Sequence, residues 1–255
     1  MASIILNADD FGYSDGICRS ILELLDIGAV SGTSMMCAAL GAADRFQHWH
    51  ASHLLGLAGV HLQLTGGQPL SPAAEVPSLI DPISGHFRNP RVGPLPNPAE
   101  VVMEWRRQLD AAHLALGGPP THLDSHHGVH RIPQFFEAYT GLASELGIPI
   151  RGTDGEFGSH MRTQGIRGTV ALVRNWTGRS LGPESLRQMV GQVCIDHPEE
   201  KIIEVISHPG YNDDYLSSIS SLSAAREDDH RALVELARAG WPGIDGHKLV
   251  THASL

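Results

Sequence analysis

Cysteine is scarce in this 255-residue sequence, with only three, Cys18, Cys37 and Cys194. They are odd in number and far apart, and no two form a CxxC pair. This spacing excludes a disulfide framework and a zinc site built on thiolates. The cysteines therefore fit a reducing compartment.

Clusters of positive charge are also missing. Lysine and arginine total 18 against 28 aspartates and glutamates, which gives a formal net charge of -10. Without a basic stripe to track phosphates, neither nucleic acid nor an anionic membrane is expected as the main partner. A neutral or cationic small substrate fits this charge better.

Long apolar runs are missing as well. No stretch approaches the roughly 20 apolar residues that a membrane-spanning helix needs. Only a few apolar residues precede the acids at positions 9 and 10, so the N-terminus resembles no signal peptide. We expect a protein without a membrane span, located in the cytoplasm.

The hydrophobic content of 42% is enough for a sizeable core, and one catalytic domain over residues 1–255 is the simplest expectation. Short apolar runs alternate with amphipathic stretches along the chain. The predicted strands are 3–8, 33–37, 56–61, 120–124, 148–151, 201–207 and 248–252, and the predicted helices are 15–26, 42–51, 98–116, 133–146, 183–194 and 224–239. About seven such units predict an α/β fold, a parallel (β/α) barrel of irregular form.

Two stretches interrupt this alternation. Residues 65–97 are rich in proline and glycine, and residues 152–182 are rich in glycine with scattered arginines. Both are predicted to be long loops, which in compact domains often shape a binding site.

Polar residues fall where the predicted strands end. Asp9 and Asp10 follow the first strand, His61 ends the third, Arg151 ends the fifth, and His208 follows the sixth. Because active sites of such barrels lie at the carboxyl ends of the strands, we expect these side chains to converge on one rim.

The segment 122–130 concentrates histidine. Alternation along a strand would place His122, Asp124 and His126 on one face. Two imidazoles and one carboxylate form a common catalytic metal site, and Asp124 could orient a ligating histidine. This reasoning leaves four histidines as alternative ligands beside Asp10 and His61, namely His122, His126, His127 and His130. The other histidines lack a partner pattern and are interpreted as structural: His48, His50, His53, His86, His113, His160, His197, His230, His247 and His252.

Simpler interpretations exist for single motifs. Asp9 and Asp10 could serve a turn or a helix N-cap, and the proline and glycine after His208 could merely end a strand. Two rival functions also remain. One is a metal-dependent phosphoesterase or amidohydrolase on a similar barrel, and the other is a non-catalytic sugar-binding or metal-storage protein.

Four motifs taken together resemble a known family. They are NADDFG at 7–12, GVHL at 59–62, THLDSHH at 121–127 and HPG at 208–210. In this combination and order the chain is similar to the YdjC-like carbohydrate deacetylases, which include the chitooligosaccharide deacetylases. The region around Arg226 and Glu227 also resembles the C-terminal helix of that family.

The resemblance implies a deformed TIM-like barrel, related to NodB-type polysaccharide deacetylases. It implies hydrolysis of the N-acetyl group of an amino sugar and a divalent metal bound by Asp10, His61 and His126. It further implies Asp9 as the general base and His208 as a catalytic histidine, and it relates Arg151 to an arginine that braces the catalytic acid. A small N-acetylated carbohydrate substrate and a homodimer are implied as well.

The metal is open to two expectations. A ligand set of two imidazoles and one carboxylate favours Zn²⁺, because Mg²⁺ prefers oxygen ligands alone. The family resemblance instead implies Mg²⁺.

Overall fold

Parallel strands form the centre of the structure, a computed structural model that describes residues 2–153 and 155–255. The strands are β1 (Ser3–Phe11), β2 (Gly32–Met35), β3 (Ala58–Leu62), β4 (Leu123–Ser125), β5 (Ile150–Arg151), β6 (Gly168–Thr169), β7 (Ala171–Val173), β8 (Ile202–Ser207) and β9 (Lys248–Leu249). The helices are α1 (Asp15–Asp26), α2 (Ala42–His48), α3 (Pro98–Leu116), α4 (Pro133–Leu146), α5 (Gly155–Thr163), α6 (Gly178–Asp196), α7 (Asp214–Ile219) and α8 (Ala225–Arg238).

The strand order is β6-β5-β4-β3-β2-β1-β8-β7, and β9 pairs with the start of β1. Only Val170 separates β6 from β7, so the chain itself joins the two ends of this order. The result is a nearly closed parallel barrel with helices outside it, which confirms the predicted fold class. Nearly every residue of β1 is buried, as expected where both faces of a strand are covered.

Local signals explain the helix boundaries. The Ser14 side chain caps α1 by accepting a hydrogen bond from the amide of Ile17. Asn97 caps α3, Pro98 occupies its first turn, and Gly117 ends it in the left-handed region at φ 73°. The predicted bounds of α1, α3 and α4 agree with the structure because these signals are local.

The prediction of a loop over residues 152–182 is wrong. The described part of this segment contains α5, both short strands that close the barrel and the start of α6. The strands are too short to produce an alternating pattern, and α6 bends at Gly182, where the backbone leaves helical geometry. By contrast, the described backbone of 65–97 is free of helix and of named strand, as predicted.

The predicted strands and the observed ones differ in their bounds, and two of these differences bear on the positions of histidines. β4 begins at Leu123 rather than at 120, and β9 ends at Leu249, so His252 lies in a 3-10 helix, His252–Ser254. All three cysteines are free. Within the described residues, no helix is long and apolar enough to cross a membrane.

Candidate active site

The site is built on an irregularity at the end of β1. The pairing of β1 with β2 shifts register between Ala8 and Phe11, and Asp10 adopts φ 79°. In a regular strand, neighbouring side chains point to opposite faces. Here the bulge turns Asp10 to the side of Asp9, and both carboxylates face His61. The distances from His61 Nε2 are 3.9 Å to Asp9 Oδ2 and 3.3 Å to Asp10 Oδ1.

His61 lies on β3, and two polar side chains contact its Nδ1 atom. Asp124 Oδ1 lies 2.7 Å from His61 Nδ1, and Ser34 Oγ lies 3.3 Å from the same atom. Burial alone would lower the pKa of His61, but the charges of Asp124 and Asp9 outweigh it and raise this pKa to about 9. Asp124 therefore fixes the ring so that Nε2 faces the two acids.

Asp9 is enclosed by hydrogen-bond donors. Both of its oxygens accept from the Arg151 guanidinium at 2.8 Å, and Oδ1 also accepts from Asn7 Nδ2 at 2.8 Å. Burial raises the pKa of a carboxyl group, but Arg151 and His61 overcome this and hold the pKa of Asp9 far below its ordinary value. Asp9 is thus an oriented, fully ionised carboxylate.

Arg151 serves three carboxylates. Besides Asp9, its Nη1 lies 2.9 Å from Asp124 Oδ2, and its Nε donates to Glu204 Oε1 at 2.7 Å. All four side chains are buried. One guanidinium therefore fixes the relative positions of β1, β4 and β8 beneath the site.

Asp10 differs from its neighbour. Its Oδ2 accepts from Arg226 Nη2 at 2.6 Å, while its buried Oδ1 has no hydrogen-bond partner among the described residues. The pKa of Asp10 lies far below its ordinary value, because Arg226 and His61 outweigh the effect of burial. A buried carboxylate oxygen without a donor is costly and indicates that a missing group completes the site.

The turn after β4 supplies two further histidines. His127 adopts φ 55°, and the rings of His126 and His127 stack with centroids 3.8 Å apart. Thr65 Oγ1 lies 2.9 Å from His126 Nδ1, so Nε2 is the nitrogen left for another partner. Burial lowers the pKa of His126 to about 3, which keeps the ring neutral and able to bind a cation.

His208, just after β8, lies at the opposite wall. Its Nε2 is 3.9 Å from Asp9 Oδ2, and its backbone amide donates to Asp229 Oδ2 at 3.3 Å. Burial lowers the pKa of His208, although Asp9 and Asp10 act in the other direction.

A cavity of about 270 Å³ lies at the carboxyl ends of the strands, and it is lined by Asp9, Asp10, His61, His126 and His208 among others. His127 and His130 belong to its wall, whereas His122 does not. Of the three residues expected on one strand face, His122 and Asp124 lie together inside the barrel, with Nε2 and Oδ2 4.0 Å apart, whereas β4 ends at Ser125 and His126 lies in the turn beyond it. His122 is also stacked on His252 with ring centroids 3.4 Å apart.

The donor atoms suit a divalent metal. Asp9, His61 and Asp124 each offer one ligand atom within 4.8 Å of the others, and all three are buried. The orphaned Asp10 Oδ1 lies against the same histidine. Carboxylates and a neutral imidazole are common ligands of catalytic divalent cations. The structure thus contains a buried cluster with the chemistry of a metal centre.

Sequence reasoning missed three side chains that shape the site. Glu204 is the single charged residue in β8 and interrupts an apolar run, and that anomaly could have identified it. Asn7 precedes the two acids in the first motif but was given no role. Arg226, in the first turn of α8, lies in the region that resembles the C-terminal helix of the family, but no local pattern predicts its contact with Asp10.

Comparison with known proteins decides the relationship. A family model described as YdjC-like protein matches residues 3–239. The chain belongs to this family. A carbohydrate deacetylase of Brevibacillus brevis is 32% identical over 253 residues, which is 99% of both chains. A chitooligosaccharide deacetylase of Yersinia enterocolitica is 31% identical and covers 84% of this chain and 83% of its own. The resemblance inferred from the four motifs is confirmed.

Solved structures agree with this placement. A candidate cellobiose-phosphate cleavage protein from Enterococcus faecalis V583 superimposes with a TM-score of 0.88 at 25% identity, covering 99% of this chain and 98% of its own. A CE4 esterase of Streptococcus mutans gives a TM-score of 0.51 at 16% identity, with coverage of 98% and 85%. At that identity the second similarity supports the barrel fold alone.

Proposed function

We propose that this YdjC-like protein is a metal-dependent carbohydrate deacetylase, which hydrolyses the N-acetyl group of an amino sugar and releases acetate. The observation that carries the proposal is the pair of adjacent acids, Asp9 and Asp10, turned toward one histidine at the base of a cavity. One acid has both oxygens held by donors, while the other keeps an oxygen free. This division supports one acid for proton transfer and one for the metal.

Asp10, His61 and His126 are the proposed metal ligands. Asp10 Oδ1 lacks a partner, and the Nδ1 atoms of both histidines are already engaged, which leaves Nε2 of each ring. The alternative set of Asp9, His61 and Asp124 fits less well, because Arg151 donates to both oxygens of Asp9, which leaves neither of them free for a cation. A bound divalent cation would lower the pKa of a water and polarise the acetamide carbonyl.

Zn²⁺ is the cation that this donor set favours, since imidazole suits borderline-soft transition ions. Mg²⁺ is the alternative that the family resemblance suggests. Metal analysis of protein purified without added ions distinguishes the two, and a stoichiometry near zero in every preparation would contradict a resident metal.

Asp9 is the proposed general base and takes a proton from the attacking water. Arg151 keeps this carboxylate ionised and oriented, which lowers its pKa. A carboxylate of low pKa could still accept the proton if a bound cation made the water more acidic. His208, whose Nε2 lies 3.9 Å from Asp9 Oδ2, donates a proton to the departing amine. The C–N bond breaks, and acetate and a free amino sugar leave.

The remaining predicted residues have supporting roles in this scheme. Asp124 orients His61, while His127 and His130 line the cavity and are proposed to contact substrate. His122 supports Asp124 from within the barrel, with its Nε2 4.0 Å from Asp124 Oδ2.

The proposed substrate is a small N-acetylated carbohydrate such as a chitooligosaccharide or a related glycoconjugate. The names of the Brevibacillus and Yersinia relatives support this class. A homodimer and a cytoplasmic location complete the proposal, and light scattering and cell fractionation test them.

The decisive assay measures acetate release from N-acetylglucosamine oligomers of increasing length, with Zn²⁺ and Mg²⁺ supplied separately. Sugar phosphates serve as the parallel substrate series, with phosphate release as readout. Acetate without phosphate supports the proposal. Phosphate release alone would establish the phosphoesterase alternative, and binding without either product would establish a sugar-binding protein.

A further inference from the structure

The C-terminal tail carries a histidine into the closed end of the barrel. β9 pairs with Ser3 and Ile4 at the start of β1, and the amide of Val250 donates to Ile4 O at 2.8 Å. The chain then turns, and His252 is 1% exposed. The tail therefore closes the end of the barrel opposite the cavity. It also lies beyond residues 3–239, which the family model matches.

His252 lies between two polar side chains. One face of its ring stacks on His122 with an interplanar angle of 9°. Its Nε2 lies 3.6 Å from Glu204 Oε1. Neither nitrogen of this buried ring has a hydrogen-bond partner among the described residues. A buried imidazole contacting only apolar groups would be an inert filler, but this one is placed beside an ionised carboxylate.

Contacts lead from this carboxylate to the proposed base. Glu204 Oε1 accepts from Arg151 Nε at 2.7 Å, and the same guanidinium holds both oxygens of Asp9 at 2.8 Å. Thr169 Oγ1 donates to the other oxygen of Glu204. Two intervening residues, Glu204 and Arg151, thus connect His252 to Asp9.

Charge balance explains why a polar side chain belongs there. Asp9, Asp124 and Glu204 are three buried carboxylates around the single guanidinium of Arg151. Buried carboxylates are costly unless polar groups surround them, and Glu204 is fully buried and does not line the cavity. The imidazole edge of His252, 3.6 Å from Glu204 Oε1, adds a polar contact beside this carboxylate and limits where it can lie, so that Arg151 keeps its orientation toward Asp9.

We propose that His252 is a positioning residue for the reaction, acting on Asp9 through Glu204 and Arg151. This inference rests on the proposed function, since it concerns the base of that reaction. It assigns a role in the site to a residue that contacts neither the cavity nor the proposed metal ligands.

Two substitutions separate positioning from packing. His252→Phe keeps a flat ring against His122 but removes both nitrogens, whereas His252→Gln keeps a donor and loses the ring. Positioning predicts that Phe lowers kcat roughly 10–100-fold with little change in KM, and that Gln retains kcat within about threefold. A packing role predicts the reverse order, with Phe the better substitute. His247→Phe is the matched control, because His247 lies in the same tail, with its Nδ1 3.0 Å from the backbone oxygen of Ala2, and takes no part in the contacts from His252 to Asp9.

A spectroscopic readout tests the same inference without turnover. Exchange of the Arg151 Nε–H with solvent, followed by NMR on arginine-labelled protein, should accelerate in His252→Phe and stay slow in His252→Gln and His247→Phe. Unchanged exchange in His252→Phe, or kcat retained by Phe and lost by Gln, would overturn the inference. Absence of acetate release by the unsubstituted protein would instead contradict the proposed function, and the exchange measurement would still decide the role of His252.

Discussion

The two sides of the cavity base differ in how many of their carboxylate oxygens have a hydrogen-bond donor. The histidine side consists of Asp10, His61 and His126, and the arginine side consists of Asp9, Arg151 and Glu204. On the arginine side, each carboxylate oxygen has a donor, and each nitrogen of the guanidinium donates to a carboxylate. On the histidine side, Asp10 Oδ1 is orphaned.

This difference supports separate proposed roles for two adjacent acids with the same side chain. Asp9 and Asp10 are both buried, both ionised and both paired with an arginine. What separates them is the number of oxygens left without a donor. A cation is attracted to the carboxylate oxygen that has no donor, which is Asp10 Oδ1.

The largest expected effect comes from replacing Asp9 and Asp10 in two separate variants. Asp9→Asn should reduce turnover by about 10²–10⁴-fold, because the general base is lost, and it should leave metal stoichiometry unchanged. Asp10→Asn should lower metal affinity instead. Acetate release and metal content of both variants check this. Loss of metal in Asp9→Asn would show that the cation belongs to the cluster of Asp9, His61 and Asp124.

Asp124 joins the two sides, and its substitution should have the next largest effect. Asp124→Asn removes the charge that orients His61, so metal affinity should fall by roughly 10–100-fold. Titration with a competing chelator measures this change. Asp44→Asn, an exposed acid on α2, is the control and should bind metal normally. Equal affinity in Asp124→Asn would mean that His61 needs no second partner.

The pH dependence of the metal-free protein tests the histidine side alone. The pKa of His61, about 9, exceeds its ordinary 6.5, so the protonated ring stabilises the metal-free fold below about pH 6.5. This stability should be lost as pH rises from about 6.5 to about 9. Over the same range, metal affinity should increase by about tenfold per pH unit, because binding displaces that proton.

Thermal unfolding and calorimetric metal titration in two buffers of different ionisation enthalpy measure both trends. A metal affinity that stays constant across this range would place the cation away from His61.

The smallest expected effect is at Ser34. Its hydroxyl lies 3.3 Å from His61 Nδ1, behind the closer Asp124 oxygen. Ser34→Ala should therefore change metal affinity by less than about tenfold, in line with the loss of one neutral hydrogen bond. The chelator titration applies here too, with exposed Ser52→Ala as control. A loss as large as that of Asp124→Asn would show that the serine, and not the carboxylate, orients the ring.

Much of the fold could be predicted because its signals are local. Caps and prolines mark α1, α3 and α4, and β1 and β8 are long enough to appear as apolar runs. The barrel closure could not be predicted, because β6 and β7 have two and three residues. Such strands exist only through pairing with β5 and β8, which are distant in sequence.

The residues that gather at the site could be predicted from the sequence, because the strand ends of a parallel barrel meet on one rim whatever the details of packing. Asp9, Asp10, His61, Arg151 and His208 all followed from that rule. The sequence also determined the family, through four motifs in order. It could not determine which acid has a donor for each oxygen, because that depends on donors from other elements, Arg151 on β5 and Arg226 on α8.

The positions of the histidines on either side of β4 depend on the tertiary structure and could not be read from the sequence. His122 and His126 are four residues apart and carry the same side chain, yet one lies inside the barrel against His252 and the other at the cavity. The physical reason is the short β4 between them, after which the chain turns at His127 with φ 55°. Alternation along a strand applies only while the strand lasts, and where it stops is decided by pairing with β3 and β5.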